Sequence, residues 1–406
     1  MPKVEVARYS LFAAPLAMAA LPIYVHIPKY YAELGLSLAS LGLLLLVLRM
    51  ADALVDPLLG RWADRLRTRF SSCALAAAVL AIGMMMLLNP AFSPVSLWWW
   101  LAGSLILVYF GFSLATISHS AWGAELPAHP TLRASYTASR EAVGLIGVLF
   151  AAALPAVLAK TTGEGLAKFS WIFVAVLALS LAALWRLREA KLTPAAHDTL
   201  WSVLDDRRFR VLLAIFALNG IASAIPATLL LFFVDDVLGA KAWEPQFLVS
   251  YFLAGAIAMP LWTWLARRYG KVIAWAIGML LAVVAFVWAA SFGSGDRIPF
   301  LIVCVATGVA LGADLSLPPA LLADAIAKRG AQAQTGSYFG IWAFVTKANL
   351  ALAAGVALPA VSYLGYKVGD PNSNLAALTM AYTVLPCTLK LCALGLLWKY
   401  RNELKE

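Results

Sequence analysis

Charge is scarce in this chain. Only 13% of its 406 residues are Asp, Glu, Lys or Arg, and 63% are hydrophobic, whereas a soluble domain carries roughly 25% charged residues. That composition excludes a water-soluble globule. Histidine is scarcer still, with four in all. No G-x-S-x-G, H-E-x-x-H or clustered Ser/His/Asp pattern occurs, so a membrane enzyme is not expected. Four cysteines, Cys73, Cys304, Cys387 and Cys392, stand singly in apolar stretches. Without metal-ligand or redox spacing they read as small buried apolar residues, and no cofactor is expected. A short cleavable signal is also lacking. After residues 2–8 the chain enters a full-length span, so the first helix is expected to be retained. No added soluble signalling domain is expected, which argues against a sensor.

What the chain has is apolar runs of membrane length, about 20 residues. Charge and Pro/Gly clusters punctuate them into twelve spans, at 8–30, 38–58, 71–90, 97–122, 136–159, 169–187, 208–234, 246–266, 272–292, 299–325, 335–362 and 375–398. The expected fold is all-α and polytopic, with twelve transmembrane helices in two pseudo-symmetric bundles of six. The expected division is 1–187 for the first bundle, 188–207 for a cytoplasmic linker and 208–406 for the second.

A net charge of +10 follows from topology rather than from nucleic acid. Of 31 Lys and Arg, four lie within spans (Arg49, Arg140, Lys347, Lys390). Six lie in one set of loops (Lys29, Lys160, Lys168, Lys241, Arg297, Lys367), and the remaining 21 on the other side. This positive-inside bias puts both termini in the cytoplasm of a plasma (inner) membrane protein. Membrane lipids and a small-molecule substrate are the expected partners, the protein being a monomer that binds no nucleic acid.

Charges inside the spans are the informative exceptions. Arg49, Asp52 and Asp56 follow at offsets of three and four, which sets them on one helical stripe. A bare charge in a bilayer costs several kcal/mol. Two carboxylates one turn apart resist joint ionisation unless a cation joins them, which suits Na⁺ or H⁺. Arg49, one turn deeper, could swap partners as the ion leaves; the competing reading is a permanent brace between helices. Span 5 adds Arg140, a partner for those carboxylates or for substrate, and Glu141. Glu141 is rotated by about 100° and expected to serve a different contact. Lys347 lies twelve residues into span 11, at a depth of about 18 Å, too deep to snorkel comfortably.

Polar side chains elsewhere are candidates for substrate. Span 4 ends FSLATISHSAWGAEL, with Thr116, His119 and Trp122, although hydroxyl residues equally serve as packing glue. Span 7 carries Asn219 ahead of Pro226, which is expected to kink the helix and free carbonyls. Span 10 carries Asp314 beside an expected break at Pro318–Pro319, and Trp342 shares the Lys347 helix. Glu125 and Asp324 stand at the cytoplasmic ends of spans 4 and 10, where they would brace a gate. The triplet Trp98–Trp100 reads as an interfacial belt.

Residues 60–70 (GRWADRLRTRF) and 260–271 (PLWTWLARRYGK) form a weak repeat, one after the second helix of each half. This is the parallel-repeat plan of the major facilitator superfamily. Gly60, Asp64, Arg65 and Arg67 resemble that superfamily's G-x-x-x-D-R gate motif. The second copy lacks the acid, so a one-sided charge lock is expected.

The run RMADALVDPLLG at 49–60, GAEL at 123–126, Arg133 with Arg140, and the Lys347 helix together resemble the glycoside–pentoside–hexuronide:cation symporter family over nearly the whole chain. The resemblance implies alternating-access symport of a sugar or glycoside-like solute. By it, Asp52 and Asp56 bind the coupling cation, Lys347 supports coupling, and Arg140 lies near both sites. The acids with which the family's sugar carriers grip hydroxyls in spans 1 and 4 are absent; Ala17 and Thr116 stand near those places. The cation arrangement is also similar to that of vertebrate sodium-coupled lysophospholipid symporters, so an amphiphile is the alternative substrate.

Overall fold

The computed structural model describes residues 2–36, 38–66, 68–90, 94–126, 130–159, 161–187, 189, 200–366 and 374–404. The described residues are helical throughout their ordered elements and contain no strand. The linker expected over 188–207 falls largely outside them, as do Arg67, Lys160, Arg188, Lys191, Lys367 and Lys405 of the charge count.

Among the described residues, twelve long helical segments run in chain order. They are α1 and α2 together (Pro2–Leu11, Ala13–Glu33), α3 (Leu38–Arg65), α4 (Arg69–Leu88), α5 (Pro94–Glu125), α6 (Pro130–Leu158) and α7 (Thr162–Leu184). After them come α8 (Arg207–Phe232), α9 (Glu244–Tyr269), α10 (Lys271–Phe286), α11 (Arg297–Arg329), α12 (Thr335–Tyr363) and α13 with α14 (Leu375–Thr379, Leu385–Lys399). A last short turn, α15, covers Arg401–Leu404. Eight of the segments are long and apolar enough to cross a membrane. Such a helix satisfies every backbone donor internally, which is what hydrocarbon demands. Helix starts are marked by short polar side chains: Thr68 accepts from Ser71 N ahead of α4, and Asp206 from Arg208 N ahead of α8.

The chain divides into two compact units. One comprises Met1–Val203 with Ile326–Phe344, the other Leu204–Ala325 with Val345–Glu406. In the first unit α4 packs on α5 and α2 on α6. Its core runs from Tyr9 and Phe12 through Leu80, Met84 and Leu105 to Phe169 and Phe173. In the second, α8 packs on α14 and α10 on α14. Two π-type turns widen helices there, Phe233–Val237 after α8 and Met380–Val384 between α13 and α14. Turns of that kind favour functional sites. Here they stack Phe233 on Tyr382, ring centres 4.2 Å apart.

The helix break expected at Pro318–Pro319 is corrected. The helix runs on through Pro226 in α8 and through Pro318 and Pro319 in α11. A proline in a membrane helix loses one backbone bond, and hydroxyls and neighbouring helices can satisfy the freed group.

Candidate functional site

The acidic stripe lies on α3. Asp56 is wholly buried at 0% exposure, Asp52 is half-buried, and Arg49 is half-buried one turn before them. Ser113 Oγ, from α5, donates to Asp52 Oδ1 at 2.7 Å. Among the described residues no group of three or more His, Cys, Asp and Glu is arranged to hold a metal ion. Carboxylates and a hydroxyl are hard-oxygen donors.

Further along α3, Asp64 is the centre of a buried lock. Its Oδ1 accepts from Arg69 Nη2 at 2.9 Å and Gly336 N at 2.6 Å. Its Oδ2 accepts from Ser337 N and Ser337 Oγ, both at 2.8 Å. Gly336 and Ser337 open α12, so the carboxylate meets the positive end of a helix dipole and satisfies two of its orphan donors. Arg69 also grips Glu125, with Nη2 to Oε1 at 2.8 Å and Nε to both oxygens at 3.2 Å. Gly60 makes the approach possible, because a Cβ there would meet Gly336 O at 2.2 Å. The guanidinium of the lock is Arg69, whereas Arg65 is exposed. Sequence reasoning passed over Arg69 because it reads as one more loop cation; its position five residues after Asp64 was the available signal.

The other candidates of the first unit sit where α1, α5 and α6 meet. His119 is buried, its Nε2 2.9 Å from Tyr9 O, while Tyr9 Oη donates back to His119 O at 3.0 Å. Trp122 is buried in the same core. Thr116 Oγ1 is buried with no hydrogen-bond partner among the described residues. Arg140 pairs with Glu141 at 2.5 Å and donates to Ser120 Oγ at 2.8 Å. The separate contact expected for Glu141 is thus overturned: two long side chains bend together despite their different helical directions. Trp342 is buried on the first turns of α12, and Lys347, half-buried further along that helix, belongs to the second unit.

The second unit gathers Asn219 and Asp314 around a lysine that sequence reasoning noticed as an intramembrane charge but gave no role. Lys390 Nζ, on α14, donates to Asp314 Oδ2 at 2.7 Å, Asn219 Oδ1 at 2.7 Å and Ser223 Oγ at 3.3 Å. Trp275 Nε1 donates to Asp314 Oδ1 at 2.9 Å. This cluster forms part of the wall of a chamber of about 250 Å³, otherwise lined largely by apolar and aromatic side chains such as Phe247, Tyr251, Phe252, Phe286 and Phe300. Among the described residues of that lining, Lys390 and Asp314 are the charged ones. Nearer the end of α11, Asp324 forms a buried pair with Lys271 at 2.7 Å.

Helices of membrane length carrying buried charges define a polytopic all-α membrane protein. Residues 9–403 match the family described as "MFS/sugar transport protein", and the chain belongs to that family, within the major facilitator superfamily. Among curated relatives it is 29% identical over 171 residues to the sodium-dependent lysophosphatidylcholine symporter 1-A of Danio rerio, a match covering 41% of this chain and 32% of that one. It is 21% identical to the inner membrane symporter YicJ of Escherichia coli K12, covering 90% of this chain and 84% of that one. A bacterial homologue of the iron transporter ferroportin, in an outward-facing state, has the same fold, with a TM-score of 0.76 at 14% identity over 99% and 100% of the chains. So has the E. coli fucose:proton symporter FucP, with a TM-score of 0.72 at 12% identity over 98% of each. The relatives are transporters, consistent with a non-enzymatic protein.

Proposed function

We infer that the protein is a cation-coupled symporter working by alternating access, with Asp52 and Asp56 as the carriers of Na⁺ or H⁺. The observation that carries this reading is Asp56, wholly buried one turn from a second carboxylate that Ser113 orients. A carboxylate inside a bilayer must be neutralised, and an ion that arrives and departs makes the neutralisation do transport work. Symporters among its relatives, one of them sodium-dependent by name, support the coupling. Lys347 and Arg140 would adjust the charge balance as the ion leaves, with Asp64, Glu125 and Asp324 bracing the cytoplasmic gate. The charge distribution of the loops supports an inner-membrane protein with both termini cytoplasmic.

Two substrate classes compete. The family description supports a sugar or glycoside-like solute. The chamber supports an amphiphile: a sugar needs a polar partner for each hydroxyl, while this lining sets one ion pair and a few hydroxyls among phenyl rings.

The test is uptake into liposomes of a labelled methyl glycoside and a labelled lysolipid, driven separately by Na⁺ and pH gradients. Asp52→Asn and Asp56→Asn should each abolish the effect of the driving gradient while leaving thermal unfolding close to that of the parent. Gradient dependence that survives in both variants refutes the coupling assignment.

A further inference from the structure

Asp314 is held from two sides, by Lys390 at Oδ2 and by the Trp275 indole at Oδ1. Trp275 is itself fully buried, so this anchor is fixed. Lys390 is held differently: its ammonium meets oxygens from three side chains at the end of a flexible four-carbon stem. When the pair opens, the lysine is the partner able to follow a ligand, and the aspartate is the one that stays. A buried ammonium needs a counter-charge, so whatever replaces Asp314 must bring an anionic oxygen. Beyond the pair the chamber, of about 250 Å³, offers aromatic surface.

We propose that this chamber is a binding site for a single-chain anionic amphiphile. The carboxylate or phosphate oxygen of the ligand replaces Asp314 on Lys390, and its hydrocarbon chain lies among Phe247, Tyr251, Phe252, Phe286 and Phe300. Charge balance then requires one proton: ligand anion, Lys390–Asp314 pair and H⁺ become a ligand–Lys390 pair and a neutral Asp314 still bonded to Trp275. The other titratable groups of the lining are the Tyr251 and Tyr382 phenols and the Cys304 and Cys387 thiols. Lys347 stands on α12, which meets α8 where Asn349 packs on Gly220. Asp314 is the acid of the lining, and the exchange leaves it without its ammonium partner. Asp314 is therefore the group that takes up the proton.

The link from this site to transport rests on the amphiphile reading above, but binding to the purified chain is measured separately from uptake. The full-length protein in nanodiscs is titrated with octanoate, octyl phosphate, octyl glucoside and octyltrimethylammonium. Both anions should bind, and octanoate should bind up to about tenfold tighter for each pH unit lowered, the signature of one linked proton. Asp314→Asn should remove the pH dependence, and Lys390→Met should weaken octanoate by about tenfold or more. Ala227→Phe narrows the chamber without touching the pair and should weaken both anions alike, which decides the matter if Lys390→Met does not fold. Equal octanoate affinity in parent and Ala227→Phe, or octyl glucoside or octyltrimethylammonium binding as tightly as the anions, overturns the proposal. Binding without gradient-driven uptake keeps the site and removes the transport reading; coupled uptake untouched by Ala227→Phe does the reverse.

Discussion

The third helix of each unit begins in the same way, and the two differ a turn further in. Both α4 and α10 open on a basic residue that reaches the acid near the end of the following helix, Arg69 to Glu125 and Lys271 to Asp324. Four residues into the helix, the first unit has Cys73 and the second Trp275. Ten residues before the acid, the first has Ala115 and the second Asp314. Cys73 and Ala115 are fully buried in the first unit, whereas Trp275 and Asp314 bond to each other at the edge of a chamber. The repeated pair is architecture common to both halves. The unrepeated charge marks where one half has been specialised.

That comparison can be broken by experiment, starting with the pairs. Arg69→Leu strands two buried carboxylates and should cost about 5 kcal/mol, the upper end of the ~3–5 kcal/mol seen when a buried pair is broken. Lys271→Leu strands one and should cost about 3 kcal/mol. Thermal unfolding in detergent reads both, and equal losses would show that Asp64 adds nothing to the first pair. Next is the close approach at the lock. Gly60→Ala pushes a methyl into the Gly336 carbonyl and should cost about 2–3 kcal/mol, as overpacking does. An unchanged melting temperature would mean that the contact is loose.

Smaller effects come from the residues just ahead of the two helices. Gly270, before α10, has φ 87° and ψ 153°, a conformation essentially confined to glycine, so Gly270→Ala should cost about 1–3 kcal/mol. Its counterpart Thr68 has φ −145° and caps α4 through its hydroxyl; Thr68→Ala should cost about 1 kcal/mol. If the order of the two were reversed, backbone strain would not be what distinguishes these turns.

Much of the fold was legible in the sequence because hydrocarbon thickness leaves little choice: an apolar run of about 20 residues has to be a helix. The charged residues of α3 were legible for the same reason, since a carboxylate such as Asp56 stands out against leucine. Arg69 was not legible, because its surroundings are basic and only the fold turns it inward toward Asp64 and Glu125. The one-sided lock expected from the missing acid of the second repeat was half of the picture. The second unit has no equivalent of Asp64, with Ala266 at that place, yet it keeps a buried pair of its own. The chamber was invisible for a further reason: a void is a property of how α8, α9, α10, α11 and α14 fail to fill space, and no residue pattern records it.

The glycines at 60, 336 and 340 leave the join between α3 and the first turns of α12 without interlocking knobs. A smooth seam of that kind offers little resistance to sliding, so its register depends on the three bonds that Asp64 accepts from Gly336 and Ser337. Unfastening that single side chain would remove the polar hold where two helices meet backbone to backbone.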